Sequence, residues 1–104
     1  MQQAWVVLTN MPDMDSAKGL AQHLVTEGLA GCVNILPGVQ SVYRWQGKVE
    51  QQSEVTLLIK IIAERYPALQ AEIQALHPYE LPEIIALPVA QGLPAYLDWI
   101  AEGS

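Results

Sequence analysis

A chain of 104 residues, 51% of them hydrophobic and 15% charged, has room for one domain and holds more apolar side chain than the core of a small monomer needs. Five Lys and Arg against eleven Asp and Glu leave a net charge of -6, which opposes binding to phosphate backbones and to anionic membranes. There is no Phe and no basic aromatic stripe for stacking bases, and one cysteine, Cys32, permits no intrachain disulfide and signals no oxidising compartment.

The first ten residues have no basic region and one short apolar run, Trp5-Val6-Val7-Leu8, so they read as neither a signal peptide nor a membrane span. The expected location is the cytoplasm. That run suits a buried strand, ended by Met11-Pro12-Asp13. Asp13, Asp15 or Ser16 can cap the helix that follows, on whose stripe lie Ala17, Leu20, Ala21, Leu24 and Val25. Gly28 stands where a C-terminal cap belongs, and His23 falls off the stripe as solvated surface.

From Ala30 the period becomes two. Val33 and Ile35 alternate with Asn34; Pro37-Gly38 marks a bend or bulge; Val39, Ser41, Tyr43 and Trp45 then share one face. Gln46-Gly47 is a tight turn into a return strand with Val55, Leu57, Ile59 and Ile61 on one face and Glu54, Thr56, Leu58 and Lys60 on the other. The hairpin is longer than a domain of this size usually needs. Pro67 opens a second helix with the stripe Tyr66, Leu69, Ile73 and Leu76, and His77-Pro78 stops it. Pro82 and Pro88 bracket a last strand, Glu83 to Leu87, and Pro94 starts a short helix carrying Tyr96, Leu97 and Ile100, with Trp99 alongside.

The order strand, helix, strand, strand, helix, strand, then an extra helix defines an α+β, ferredoxin-like βαββαβ fold in one domain, residues 1–104. Both helices belong on one face of an antiparallel sheet, leaving the other open. No CxxC pair, Ser-His-Asp set, GxSxG elbow or phosphate-cradling loop appears, so an enzyme is not expected.

Two stretches carry a family resemblance: Gly31-Cys32-Val33-Asn34-Ile35-Leu36-Pro37-Gly38-Val39, running on to Trp45-Gln46-Gly47-Lys48, and Leu76-His77-Pro78-Tyr79-Glu80-Leu81-Pro82-Glu83. Together with Ser53-Glu54-Val55 and Tyr96-Leu97-Asp98-Trp99-Ile100, they resemble the signature segments of the CutA family over essentially the whole chain. The resemblance implies a homotrimer joined through its long hairpins, a link to tolerance of divalent metals, chiefly copper, and no catalytic reaction. It also implies Cys32 and His77 as copper donors, a soft thiolate and an imidazole, although Thr9 and Leu76 stand where some members carry Cys and His. Against this, Cys32 also reads as a small core hydrophobe and His77 as a helix-ending side chain. A second constellation is Lys60 with Tyr79, Glu80 and Glu83. Lys60 and Glu83 are expected either to pair across a subunit cleft or to hold a small anion or metabolite, as in the nitrogen-regulatory signalling trimers whose architecture is similar. Tyr43 and Trp45 read as interface anchors or ligand stackers.

Overall fold

The computed structural model describes residues 3–103. Strand β1 (Ala4–Met11) leads into helix α1 (Met14–Thr26), strand β2 (Cys32–Trp45) and strand β3 (Lys48–Ile62). A single 3-10 turn then joins helix α2 (Tyr66–Leu76), strand β4 (Ile85–Pro88) and helix α3 (Pro94–Gly103). The four strands form one sheet in the order β2-β3-β1-β4, every pairing antiparallel, which is the ferredoxin-like arrangement expected.

Local chemistry sets the ends of α1. The Asp13 side chain accepts the Ser16 backbone N–H at 2.8 Å, and that bond holds its carboxyl below the usual carboxylate range. At the other end Gly28 takes φ +71°, and Gly28 and Leu29 donate to the carbonyls of Val25 and Leu24, closing a Schellman cap.

The helices pack on one face of the sheet. Val7, Leu57, Ile59 and Ile61 meet Leu24, Leu69 and Ile73 there, all fully buried. Burying each such side chain stabilises the fold by about 1.5–3 kcal/mol. Two expected core positions lie outside it: Val25 and Leu76 are 42% and 50% exposed, each at the last turn of its helix, where the stripe drifts off the sheet. His23 is not simply solvated. Its Nε2 meets Glu72 Oε2 at 3.1 Å, tying α1 to α2.

The second face is less open than the strand pattern implies. At one end α3 lies over β3 and β1, with Ile100 buried against Gly31. At the other end the segment from His77 to Glu83 folds over the ends of β1 and β3. This segment also delays β4, which starts at Ile85 and not at Glu83.

The β2–β3 hairpin is the fold's salient feature. Its turn places Gln46 at φ 52° and Gly47 at φ 82°, the pair of left-handed residues that a two-residue hairpin loop requires. The ladder is regular except between Leu36 and Val39, where Pro37 and Gly38 bulge as expected. Beyond Met11 opposite Val55, β3 pairs with β2 alone. The arm from Val39 and Glu54 to the turn therefore projects by about 20 Å, and it gives the molecule its 44 Å long axis.

Candidate functional site

One face of the arm, the end of β1 and the segment after α2 enclose an open cleft of about 760 Å³. Alternation along β2 and β3 brings Ser41, Tyr43 and Trp45 to the same face as Gln52 and Glu54. Tyr79, Glu80 and Glu83 face them across the cleft, and Asn10 lies at its floor.

A connected set of hydrogen bonds fixes the geometry. The Tyr79 hydroxyl donates to Glu54 Oε2 at 2.8 Å. Thr56 Oγ1 donates to Asn10 Oδ1 at 2.6 Å, and Asn10 Nδ2 donates to Glu83 Oε1 at 3.3 Å. Tyr43 donates to Gln52 Oε1 at 2.8 Å, which steadies its ring on the arm. Burial, and then the Glu54 carboxylate beside it, pushes the Tyr79 phenol well above its ordinary pKa, so Tyr79 remains a donor.

His77 is the hinge of this network. Its Nε2 lies 2.7 Å from the Asn10 carbonyl oxygen, which can only accept, so Nε2 carries the proton. Nδ1 then accepts the Tyr79 backbone N–H at 3.1 Å. Burial lowers the imidazole's pKa; the Asn10 carbonyl and the Glu54 charge oppose that shift more weakly. His77 thus ends α2, but its ring serves the end of β1 and not the helix's own last carbonyls.

This arrangement does not fit a copper site within one chain. Both ring nitrogens of His77 are engaged. Cys32 stands opposite Lys60, which is opposite Val6, whereas His77 reaches Asn10. Their attachment points are thus offset by four residues, about 13 Å, along the strands, and Cys32 stands two strands away from β1 as well. Among the described residues no three His, Cys, Asp or Glu side chains converge as metal-binding groups do. Cys32 itself is half-buried on the second face, between the two readings of a core hydrophobe and an accessible thiol.

Nor do Lys60 and Glu83 meet within one chain. Lys60 Nζ donates to the Tyr96 hydroxyl at 3.3 Å and lies 5.5 Å from the centre of that ring, while Glu83 accepts from Asn10. Tyr43, Trp45, Tyr79, Glu80 and Glu83 do come together, around one cleft. Among the members that sequence reasoning missed are Glu54, Asn10 and Gln52. Glu54 is 7% exposed, yet its place on the polar side of an alternating strand reads as solvent-facing. The available signal was the Ser53-Glu54-Val55 segment itself, which places a carboxylate beside Val55 at the root of the arm.

No hydroxyl or thiol is hydrogen-bonded to either imidazole among the bonds described, since His23 faces Glu72 and His77 faces backbone. The described residues thus form a ferredoxin-like domain with a projecting two-stranded arm and an aromatic–carboxylate cleft. Residues 5–103 match the family model described as CutA1 divalent ion tolerance protein, and the chain belongs to that family.

The "Divalent-cation tolerance protein CutA" of Thermus thermophilus is 48% identical over 99 residues, 95% of this chain and 96% of that protein. The crystal structure of CutA1 from Oryza sativa superposes with a TM-score of 0.95 at 40% identity, covering 98% of this chain and 94% of that one. "Protein CutA, chloroplastic" of Arabidopsis thaliana is 44% identical over 91% of this chain, which spans about half (52%) of that relative. No helix among the described residues is long and apolar enough to cross a membrane.

Proposed function

We propose that the chain acts in divalent-cation tolerance as a cytoplasmic, non-enzymatic homotrimer whose copies are joined through the β2–β3 arm. The observation that supports this reading is the arm itself. Val42 and Val49 are 66% and 68% exposed, Tyr43 and Trp45 each 39%, on strands that pair with nothing but each other. Long apolar edges are templates for pairing, and a closed ring of copies covers them. In this reading copper is met weakly, by donors from more than one copy with Cys32 among them, because one chain does not bring two donors together.

Sedimentation tests the assembly. The parent is expected near three times 11.4 kDa, and Tyr43→Ala with Trp45→Ala is expected to dissociate it, since losing a buried ring costs about 3–5 kcal/mol per site. A parent that sediments as a monomer at micromolar concentration refutes the reading. Copper titration of the Cys32→Ser variant checks the metal part; unchanged affinity removes the thiol.

A second reading, a signalling trimer that holds a small anion or metabolite between subunits, draws on Lys60. Its ammonium has a phenol and a ring for partners and, among the described residues, no carboxylate within ion-pair distance. Calorimetry with inorganic phosphate, compared with the Lys60→Met variant, separates this reading from the first.

A further inference from the structure

We infer that His77 is a proton-operated latch: a second proton on its ring, at Nδ1, frees the segment from Tyr79 to Glu83 and loosens that wall of the cleft. Every bond it uses lies within one chain, so it depends neither on the homotrimer nor on a metal.

The reasoning starts from how the segment is held. Among the described residues, Pro78 to Glu83 make no backbone–backbone hydrogen bond. Pro78 and Pro82 have no N–H to give. Side chains pin the segment instead: Nδ1 of His77 accepts the Tyr79 backbone N–H, the Tyr79 hydroxyl donates to Glu54, and Glu83 accepts from Asn10. The His77 and Tyr79 rings also meet, 4.8 Å between centres. A stretch held by so few bonds opens locally at small cost in free energy.

The ring is built so that one proton decides the matter. Nε2 already carries its hydrogen toward the Asn10 carbonyl at 2.7 Å, so a second proton enters only at Nδ1. There it meets the Tyr79 N–H, 3.1 Å away. Two donors then face each other, and the half-buried Tyr79 amide loses its acceptor. The positive charge meanwhile strengthens the bond to Asn10. The ring therefore stays on β1, and the segment moves.

The surroundings set the direction. Glu54 of β3 favours the imidazolium, but burial opposes it more strongly, so the latch is closed at neutral pH. Asp13 at the start of α1 and Tyr43 on the arm act on the adjoining Tyr79, and Glu80 and Glu83 belong to the segment itself. His23 of α1 stands near Pro78 but is turned to Glu72. A second copy laid over the arm adds to the burial and leaves the sign unchanged. Because the closed form holds its second proton less readily than an open one, acid favours opening.

The test is amide hydrogen exchange on the full chain from pH 7.5 to 5, with the ring nitrogens of His77 followed by NMR in the same samples. Nδ1 is expected to be unprotonated at pH 7.5. Protection of the Tyr79 amide, taken relative to its intrinsic rate at each pH, should fall about fivefold or more, the factor carried by one hydrogen bond of ordinary strength. Tyr79 should also exchange faster than Leu57 and Ile59 throughout. In His77→Gln, which has no proton to gain, protection should not change over this range. The proposal is overturned by a proton on Nδ1 at pH 7.5, or by Tyr79 protection that is constant with pH. A like fall in a folded His77→Gln chain, or Tyr79 exchanging only as slowly as the core, overturns it too. The measurements on the unmodified chain stand even if the variant fails to fold. Sedimentation of the same samples reads assembly separately.

Discussion

Thr9 offers a sharp test of how the core is built. It lies on the helix-facing side of β1 opposite Leu57, is fully buried, and its hydroxyl has no hydrogen-bond partner. Its methyl packs like that of valine, but its oxygen is removed from water with nothing in exchange. The penalty for such an orphan is about 1–3 kcal/mol. Thr9→Val keeps the β-branched shape and removes the penalty, so we expect a gain of that size. For a domain of about 100 residues each kcal/mol corresponds to roughly 4–8 °C in melting temperature. Urea unfolding at fixed protein concentration is the assay, because assembly makes apparent stability concentration-dependent. The midpoint should rise with the slope unchanged. Thr9→Ser, which keeps the hydroxyl and deletes the methyl, should fall by about 1 kcal/mol. A Thr9→Val protein no more stable than the parent, or less so, would refute the reasoning and show that the hydroxyl has a partner.

His77 predicts a pH dependence. Its folded pKa lies below the unfolded value of about 6.5, so its contribution is complete above that value and is lost as pH falls toward the lowered folded one. Stability measured from pH 7.5 to 5 should decline through this window, and His77→Gln should flatten that part of the profile; an unaltered slope in the variant would exclude the residue. Gly31 predicts a steric effect. A Cβ there would lie 2.9 Å from the Ile100 carbonyl oxygen, so Gly31→Ala should displace α3 at a cost of about 1–3 kcal/mol, visible in the fluorescence of Trp99. An Ala variant with the parent's melting temperature and emission would show that α3 yields freely.

Much of the fold was legible because it is written in short-range terms. The period of α1, the left-handed residues at Gly28 and Gly47, and the bulge at Pro37-Gly38 each depend on a few neighbouring residues. The site was less legible because its bonds cross long stretches of chain. Glu54 is covered by Tyr79, which arrives from 25 positions away, and the His77 ring is fixed by the carbonyl of Asn10, 67 positions distant. His23 met Glu72 across 49 positions for the same reason. Alternation tells which face of a strand a side chain takes, but not what later folds over that face. The expected Lys60–Glu83 pair was reasoned from charge alone, and Tyr96 on α3 takes the lysine within the chain.

The bulge reconciles two ends of the hairpin that would otherwise disagree. From Leu36 to Trp45 β2 advances nine positions, while β3 advances eight from Thr56 to Lys48. The root of the hairpin is fixed by the core and the tip by a two-residue turn, so the surplus residue has to be parked somewhere, and Pro37-Gly38 is where it is parked. Proline has no N–H to give the ladder, and Gly38 accepts φ +78° without strain. The segment therefore carries a spare residue, which sets its tolerance to insertion and deletion. Losing either Pro37 or Gly38 leaves both ends in register and straightens the arm. Losing one residue between Val39 and Trp45 straightens it too, but transfers every side chain before the gap to the opposite face. The length of this strand is thus free to vary at one point, and elsewhere along the arm it is fixed.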